Sequence, residues 1–324
     1  MKKWSYLIFA ISFLCSCDTN SEKSSITSEE PQTNSEDIAN NGNIKDETPF
    51  IHIQSKYDYE DDKSYSDPIS NEINILDLEE EFTICIEDRE NSGNTMKEVK
   101  CSEESYNKWD DALNNYYKKA MSLINDEDRT ILKTAQISWS KFRDTEIDFL
   151  NALYQTFDET AYQTRIAANS KNILLIKNRT FDLVEWSFLN KRIPADIVFL
   201  IETETKSQGK ESAGVTNCIE KSASSVETLG CLNTAAEQSD QLLNDNYKKL
   251  MQILSDELKS KLKTSQRAWL KFRNDELAAY YMDAKSMNGN LFKEERSIEN
   301  INMMNHRALN FGEFITAINN MSQK

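Results

Sequence analysis

The chain of 324 residues carries 38 Lys plus Arg against 54 Asp plus Glu, a formal charge of −16, which excludes nucleic-acid binding built on surplus cationic side chains. Only 7 Gly and 4 Pro punctuate it, too few for a turn-rich β architecture, so the composition predicts packed helices and an all-α fold. Two histidines, His52 and His306, leave little for imidazole general-base chemistry or histidine-bound metal; the expectation is no enzyme, no metal and no cofactor.

Lys2 and Lys3 precede an apolar stretch, Trp4 to Leu14, too short to span a bilayer and shaped like a signal-peptide core. The run Leu14-Cys15-Ser16-Cys17 closes it. This resembles the bacterial lipobox, in which a Leu and two small residues precede the Cys that is lipidated and starts the mature protein. Cys17 fits that position, whereas Cys15 has Ser12 three residues before it. Residues 1–16 are therefore read as a lipoprotein signal peptide and Cys17 as the lipid anchor, with a cleaved signal lacking lipid as the simpler alternative. Each buried acyl methylene contributes about 0.8 kcal/mol, enough over several chains to hold the protein to a membrane of the bacterial cell envelope, either periplasmic or surface-exposed.

Residues 17–84 read as an acidic, mostly disordered tether. From Asp18 to Ile84 there are 18 acidic and 4 basic residues, together with Pro31, Pro49 and Pro68, and such a segment lacks the apolar mass to offset its ordering entropy. Disorder is expected at least to Thr48, with Phe50 to Tyr59 as a candidate strand or docking segment. From Cys85 onward there are 36 acidic and 32 basic residues, so the extreme charge belongs to the tether.

The remainder is an internal duplication. At an offset of 130, 19 of 46 positions from Cys101 to Glu146 are identical to Cys231 to Glu276 without a gap, which marks a tandem repeat. Leu113, Tyr117, Ala120 and Ile124, like Leu243, Tyr247, Leu250 and Leu254, fall on one helical face. Asn125-Asp126 and Ser255-Asp256 supply cap chemistry for a second helix, whose stripe in the second copy is Leu262, Gln266, Trp269, Arg273 and Glu276. Asp158 to Phe188 and Asn290 to Ile318 read as a third helix. Two tandem helical repeats result, 85–205 and 206–324, each a short N-terminal segment plus three main helices, joined near the Ser/Gly/Lys-rich stretch Lys206 to Gly214.

Trp139 and Trp269 read as core anchors. Gln136, Arg143, Gln266 and Arg273 read as a buried polar network tied to Asp110, Asn114, Asp240 and Asn244 on the preceding helix, because the planar guanidinium fork satisfies several acceptors at once. No nucleophile and base accompany them. Glu146 and Glu276 repeat as well, and each sits in a helix beside an Arg, which favours an ion-pair partner over one of the two positioned carboxylates that a glycan hydrolase needs.

Four further cysteines, Cys85, Cys101, Cys218 and Cys231, place one pair at the start of each copy, with spacers of 15 and 12 residues. An exported setting favours disulfides, and among three connectivities the repeat favours Cys85 with Cys101 and Cys218 with Cys231. Neither pair has the knuckle spacing of structural zinc; zinc and free buried thiols are the alternatives.

The order Cys, Cys, then Asp240-x-x-Leu243-Asn244-x-x-Tyr247, then Leu262-x-x-x-Gln266-x-x-Trp269-x-x-x-Arg273, then Arg307 resembles the N-terminal domain of the lysozyme inhibitor LprI. The first copy matches at Asp110, Leu113, Asn114, Tyr117, Leu132, Gln136, Trp139, Arg143 and Arg179. Together the copies cover nearly all of Cys85 to Ile318. Many members carry a further Cys shortly after the second-helix Arg and a partner in the third helix; Ile147 and Leu277 stand at the first of these positions here, so no orphan thiol remains. The resemblance implies a small helical exported domain, often lipid-anchored, and for the namesake inhibition of lysozyme.

The function expected is a lipid-anchored protein-binding module of the envelope, with lysozyme or another envelope protein as partner; a scaffolding lipoprotein that does not inhibit lysozyme is the alternative. Lysozymes are commonly basic, so an acidic binder suits them electrostatically. Aromatics and Met are favoured in interfaces, which makes Tyr154, Phe157, Tyr280, Tyr281, Met282 and Met287, between the second and third helices, the candidate contact zone, unless they close the core.

Overall fold

Helix starts fall on side chains that can accept the first free backbone N–H groups. In the computed structural model Asn125 accepts from the Asp128 N–H at 3.0 Å and Ser255 from the Leu258 N–H at 3.4 Å. Ser224 accepts from the Glu227 N–H while the Glu227 carboxylate reaches back to the Ala223 N–H at 2.7 Å, a reciprocal cap. The described residues are 73–88, 95–157, 162–188, 193–207, 218–279 and 289–321, all within the unit Thr48–Lys324. They form α1 (Ile75–Glu87), α2 (Thr95–Leu123), α3 (Asp126–Gln155), α4 (Tyr162–Ser187), α5 (Ala195–Ser207), α6 (Ser225–Ile253), α7 (Asp256–Ala279) and α8 (Gly289–Met321). No strand occurs among the described residues, and one helical turn at 218–221 precedes α6.

The fold is all-α and duplicated: α2, α3 and α4 of the first repeat correspond to α6, α7 and α8 of the second. Each third helix packs on its own first helix, α4 on α2 and α8 on α6, whereas the second helices pack across the duplication, α3 on α7. The stripes expected from period therefore do different work. Leu113, Tyr117, Ala120 and Ile124 bury within the first repeat, while Leu132, Trp139 and Phe142 join Leu262, Trp269 and Phe272 in one continuous core that spans both copies.

One boundary needs correction. The tether was expected to run to Ile84, but α1 begins at Ile75, and Ile75 and Leu78 are buried in the core. The acidic face of this helix hid its apolar one. α1 lies against α2, with Glu81 on Lys108 at 2.6 Å and Glu79 on Lys177 of α4 at 2.7 Å, and Tyr116 donates to the Ile73 carbonyl at 3.0 Å. α5, which the periodicity did not reveal, packs back on α1. The signal segment, Cys17 and the tether through residue 72 lie outside the described residues.

Among the described residues the second repeat has a smaller counterpart of this layer, the turn at 218–221, whose Ile219 packs against Leu232, Ala235 and Ile301. In the first copy Trp109, Tyr116 and Val184 are buried; their counterparts are the smaller Ser239, Asn246 and Gly312. Asn246 donates from Nδ2 to the Ala308 carbonyl at 2.9 Å, and a Cβ on Gly312 would stand 3.6 Å from the same amide nitrogen. α6 and α8 pack on each other as α2 and α4 do, and Leu242 and Leu309 stay exposed.

The disulfides are Cys85–Cys101 and Cys218–Cys231, with Cα separations of 5.8 and 5.9 Å. Each ties the segment before its repeat to the first long helix and closes a short loop worth roughly 3 kcal/mol of unfolded-state entropy.

A shared core predicts shared stability. If a protease site is engineered into residues 208–217 and cleaved, the two halves should stay together through gel filtration at high salt and melt in one transition. Separation into two independently melting fragments would contradict the fold described here.

Candidate functional site

Two identical sets of residues, Gln136, Phe142, Glu146 and Arg179 in the first repeat and Gln266, Phe272, Glu276 and Arg307 in the second, meet where α3 crosses α7. Phe142 and Phe272 stack on each other with centroids 6.0 Å apart and planes 6° from parallel; the same residue of both copies meeting face to face marks a local pseudo-twofold axis. Around it the glutamates are exchanged. Arg179 takes Gln136 of its own repeat at 2.9 Å and Glu276 of the other at 2.8 Å. Arg307 takes Gln266 at 3.1 Å and Glu146 of the first repeat through two bonds of 2.6 and 3.0 Å. Each guanidinium also lies over the other repeat's phenylalanine, Arg179 at 5.4 Å from Phe272 and Arg307 at 5.3 Å from Phe142, in cation–π range.

All four charges are buried, so each depends on its partner for compensation. Burial alone would lower the pKa of Arg179, but Glu276 and then Asp182 outweigh it, and the guanidinium is held above the ordinary arginine value. One pair is better finished than the other. Ser265 donates to Glu146 and accepts from Arg307 Nη2. Its counterpart is Ala135, and there Arg179 Nη2 and Glu276 Oε2 have no hydrogen-bond partner.

Above this layer α4 and α8 diverge and leave a cleft of about 250 Å³ floored by Trp139, Phe142, Trp269 and Phe272. Its charged lining residues are five carboxylates, Glu146, Asp182, Glu185, Glu276 and Glu299, and three cations, Lys171, Arg179 and Arg307. Residues of both repeats line this cleft. It offers buried ion pairs and a polar rim, with no nucleophile held against a base, and among the described residues no cluster of potential metal ligands occurs.

The residues expected as a network divide between the copies. Trp139 and Trp269 are 2% and 4% exposed, each under its neighbouring guanidinium, Arg143 at 5.2 Å and Arg273 at 5.3 Å. In the first repeat Asp110 and Asn114 are buried, with Arg143 4.0 Å from Asp110 and 2.8 Å from Asp144. In the second, Asp240 and Asn244 are exposed and bond to each other at 2.9 Å, which corrects the expectation of a buried network there. The physical reason is side-chain size: Tyr106, buried close to Asp110 and Arg143, has Ala236 as its counterpart. Burial with weak compensation by Asp240 draws the Arg273 pKa below the ordinary value. Gln136 and Gln266, expected to face the preceding helix, instead orient the third-helix arginines.

Of the candidate contact residues, Tyr154 and Phe157 are half-buried, pack edge to face at 5.3 Å and sit against the core. Burial, with Glu313 nearby, pushes the Tyr154 phenol up to about 12. Tyr280, Tyr281, Met282 and Met287 lie outside the described residues. The exchange of Glu146 and Glu276 between repeats escaped sequence reasoning, although both glutamates were visible as repeated positions; nothing in a linear pattern says which arginine a glutamate will meet.

The architecture defines a class: a disulfide-tied, all-α tandem repeat whose copies share one core through exchanged ion pairs. The chain belongs to the lysozyme inhibitor LprI family, whose model matches residues 85–183 and 218–310, one stretch in each repeat. A solved structure of an uncharacterised protein from Burkholderia thailandensis is similar at 14% identity and a TM-score of 0.49, over 75% of this chain and 98% of that one. No curated protein sequence matches.

Two substitutions test the exchange in opposite directions. Glu276→Ala strands the buried Arg179 charge and should lower stability by about 3–5 kcal/mol. Ala135→Ser should supply the hydroxyl that Ser265 supplies opposite and raise stability by about 1 kcal/mol, a charge-assisted hydrogen bond less the helix-propensity difference. Both are read by thermal and denaturant unfolding; an Ala135→Ser protein that melts lower would show that no hydroxyl fits the first pair.

Proposed function

We propose that this protein is an exported, envelope-associated module that binds and inhibits lysozyme, and that it acts through its folded repeats. The observation that carries the reading is the family match over both copies. The chemistry is consistent with it: the folded part pairs its buried charges internally and presents a rigid helical surface, as expected of a protein that works by contact. The −14 tether charge, from 18 acidic and 4 basic residues between Asp18 and Ile84, would draw a basic lysozyme in, but that attraction is screened over roughly 8 Å at physiological salt and carries little shape specificity.

Anchoring is assigned to Cys17, on the lipobox resemblance, and no helix of the described residues is long and apolar enough to cross a membrane. Metabolic labelling with a clickable fatty acid should mark the native protein, and Cys17→Ala should abolish both label and membrane partition. A Cys17→Ala protein that still takes up label would assign the anchor elsewhere.

The inhibition test uses a panel of lysozymes. A chain beginning at Ile73, which keeps α1, should retain the inhibition of the mature protein at physiological salt, and at low salt should lose only association rate. If it stays folded and no longer inhibits, the repeats are not the inhibitory element. If the mature protein binds no lysozyme of the panel, it is a scaffold for other partners.

A further inference from the structure

The two exchanged ion pairs are built from identical residues and differ at one hydroxyl. In one pair Ser265 Oγ stands between the charged groups, donating to Glu146 Oε2 and accepting from Arg307 Nη2 at 3.1 Å. At an offset of 130 the residue that would serve Arg179 and Glu276 in the same way is Ala135. Part of that second pair is made, since Arg179 Nη1 reaches Glu276 Oε1 at 2.8 Å. Its remaining atoms, Arg179 Nη2 and Glu276 Oε2, are buried with no hydrogen-bond partner. So is Gln136 Nε2, on the amide whose Oε1 takes Arg179 Nε at 2.9 Å. Gln136, Arg179 and Glu276 are 0%, 1% and 2% exposed, so donors and acceptor alike carry the full desolvation cost of an unmade bond.

We infer that one water molecule is bound beside Ala135, in the place that the Ser265 hydroxyl holds in the other pair, accepting from Arg179 Nη2 and donating to Glu276 Oε2. The chemistry of the site selects this ligand. Arg179 and Glu276 together are neutral, so the pair offers no net attraction to an anion or a cation; it calls for one small group that both accepts and donates. In the other pair a hydroxyl oxygen fills that role, and a water oxygen is its unattached equivalent. Gln136 Nε2 adds a second donor, and two donors with one acceptor suit a water that accepts twice and donates, close to the roughly three bonds that buried waters make. Arg179 and Glu276 also line the inter-repeat cleft, so the site borders a route from solvent. The two halves of the buried layer are then completed differently: Arg307 and Glu146 by a hydroxyl fixed to α7, Arg179 and Glu276 by a molecule that exchanges.

The test follows the water from its neighbouring methyl group and by count. In the full mature chain labelled at its alanine methyls, the buried Ala135 methyl should show a nuclear Overhauser effect to water, with the sign of a molecule that stays bound longer than the protein tumbles. Relaxation dispersion of the water signal counts such molecules. Ala135→Ser should lose one, because its hydroxyl takes the place of the water, and Ser265→Ala should gain one between Arg307 and Glu146. Combining the two substitutions should restore the original count with the water moved to the other pair. A high-resolution crystal structure should place its oxygen within hydrogen-bond distance of Arg179 Nη2 and Glu276 Oε2. A silent Ala135 methyl, a count that Ala135→Ser leaves unchanged, or no gain in Ser265→Ala would each overturn the inference. Should Ala135→Ser fail to fold, the methyl signal of the unaltered chain and the Ser265→Ala count decide the matter.

Discussion

The exchange of glutamates between repeats is the constraint on which the rest of the molecule depends. A buried carboxylate is costly unless a cation meets it with good geometry, and here the cation for each repeat's glutamate is held by the other repeat. Glu146 meets Arg307 and Glu276 meets Arg179. Neither copy can keep these residues buried when alone. The duplication therefore produces one cooperative unit instead of two modules on a string, and α3 and α7, which carry the glutamates, form its centre.

That centre sets the position of everything else. Gln136 and Gln266 hold the two arginines from beneath, and the stacked phenylalanines fill the space between them. With α3 and α7 pressed together, α4 rests on α3 and α8 on α7, and residues of all four helices line the cleft, so the cleft is a consequence of the crossing. The buried layer is nearly symmetric, with Ala135 opposite Ser265 as its exception, whereas the cleft walls are not: Lys171 corresponds to Glu299, Asn178 to His306 and Asp182 to Asn310. Identity is kept where two charges must be compensated, and difference appears where the walls meet solvent.

The two copies also show alternative ways of covering one helical surface. The first uses Trp109, Tyr116 and a separate acidic helix, α1, anchored by Lys108 and Lys177. The second has the smaller Ser239, Asn246 and Gly312 there, and Ile219 of the turn at 218–221 packs on Leu232, Ala235 and Ile301. Tyr106, buried close to Asp110, has Ala236 as its counterpart, and the shared Asp and Asn differ with it: Asp110 and Asn114 are buried, Asp240 and Asn244 exposed. Identical residues at identical helical positions thus take different environments because their neighbours differ in size.

Sequence alone determined the duplication, the helical class, the cap positions at Asn125 and Ser255, and the pairing of the cysteines, because each of these is local or repeats at a fixed offset. Helical period placed Trp139 and Trp269 on apolar faces, and burial there follows from the hydrophobic effect whichever element covers them. It could not show that α3 packs on α7, since an apolar stripe states that a face is buried and not against what. Nor could it separate α1 from the acidic tether, whose charge outweighs the two turns carrying Ile75 and Leu78, or foresee α5. The partner of each glutamate and the exposure of Asp240 were decided by tertiary structure, because both depend on which distant helices meet and on the size of the side chains where they do.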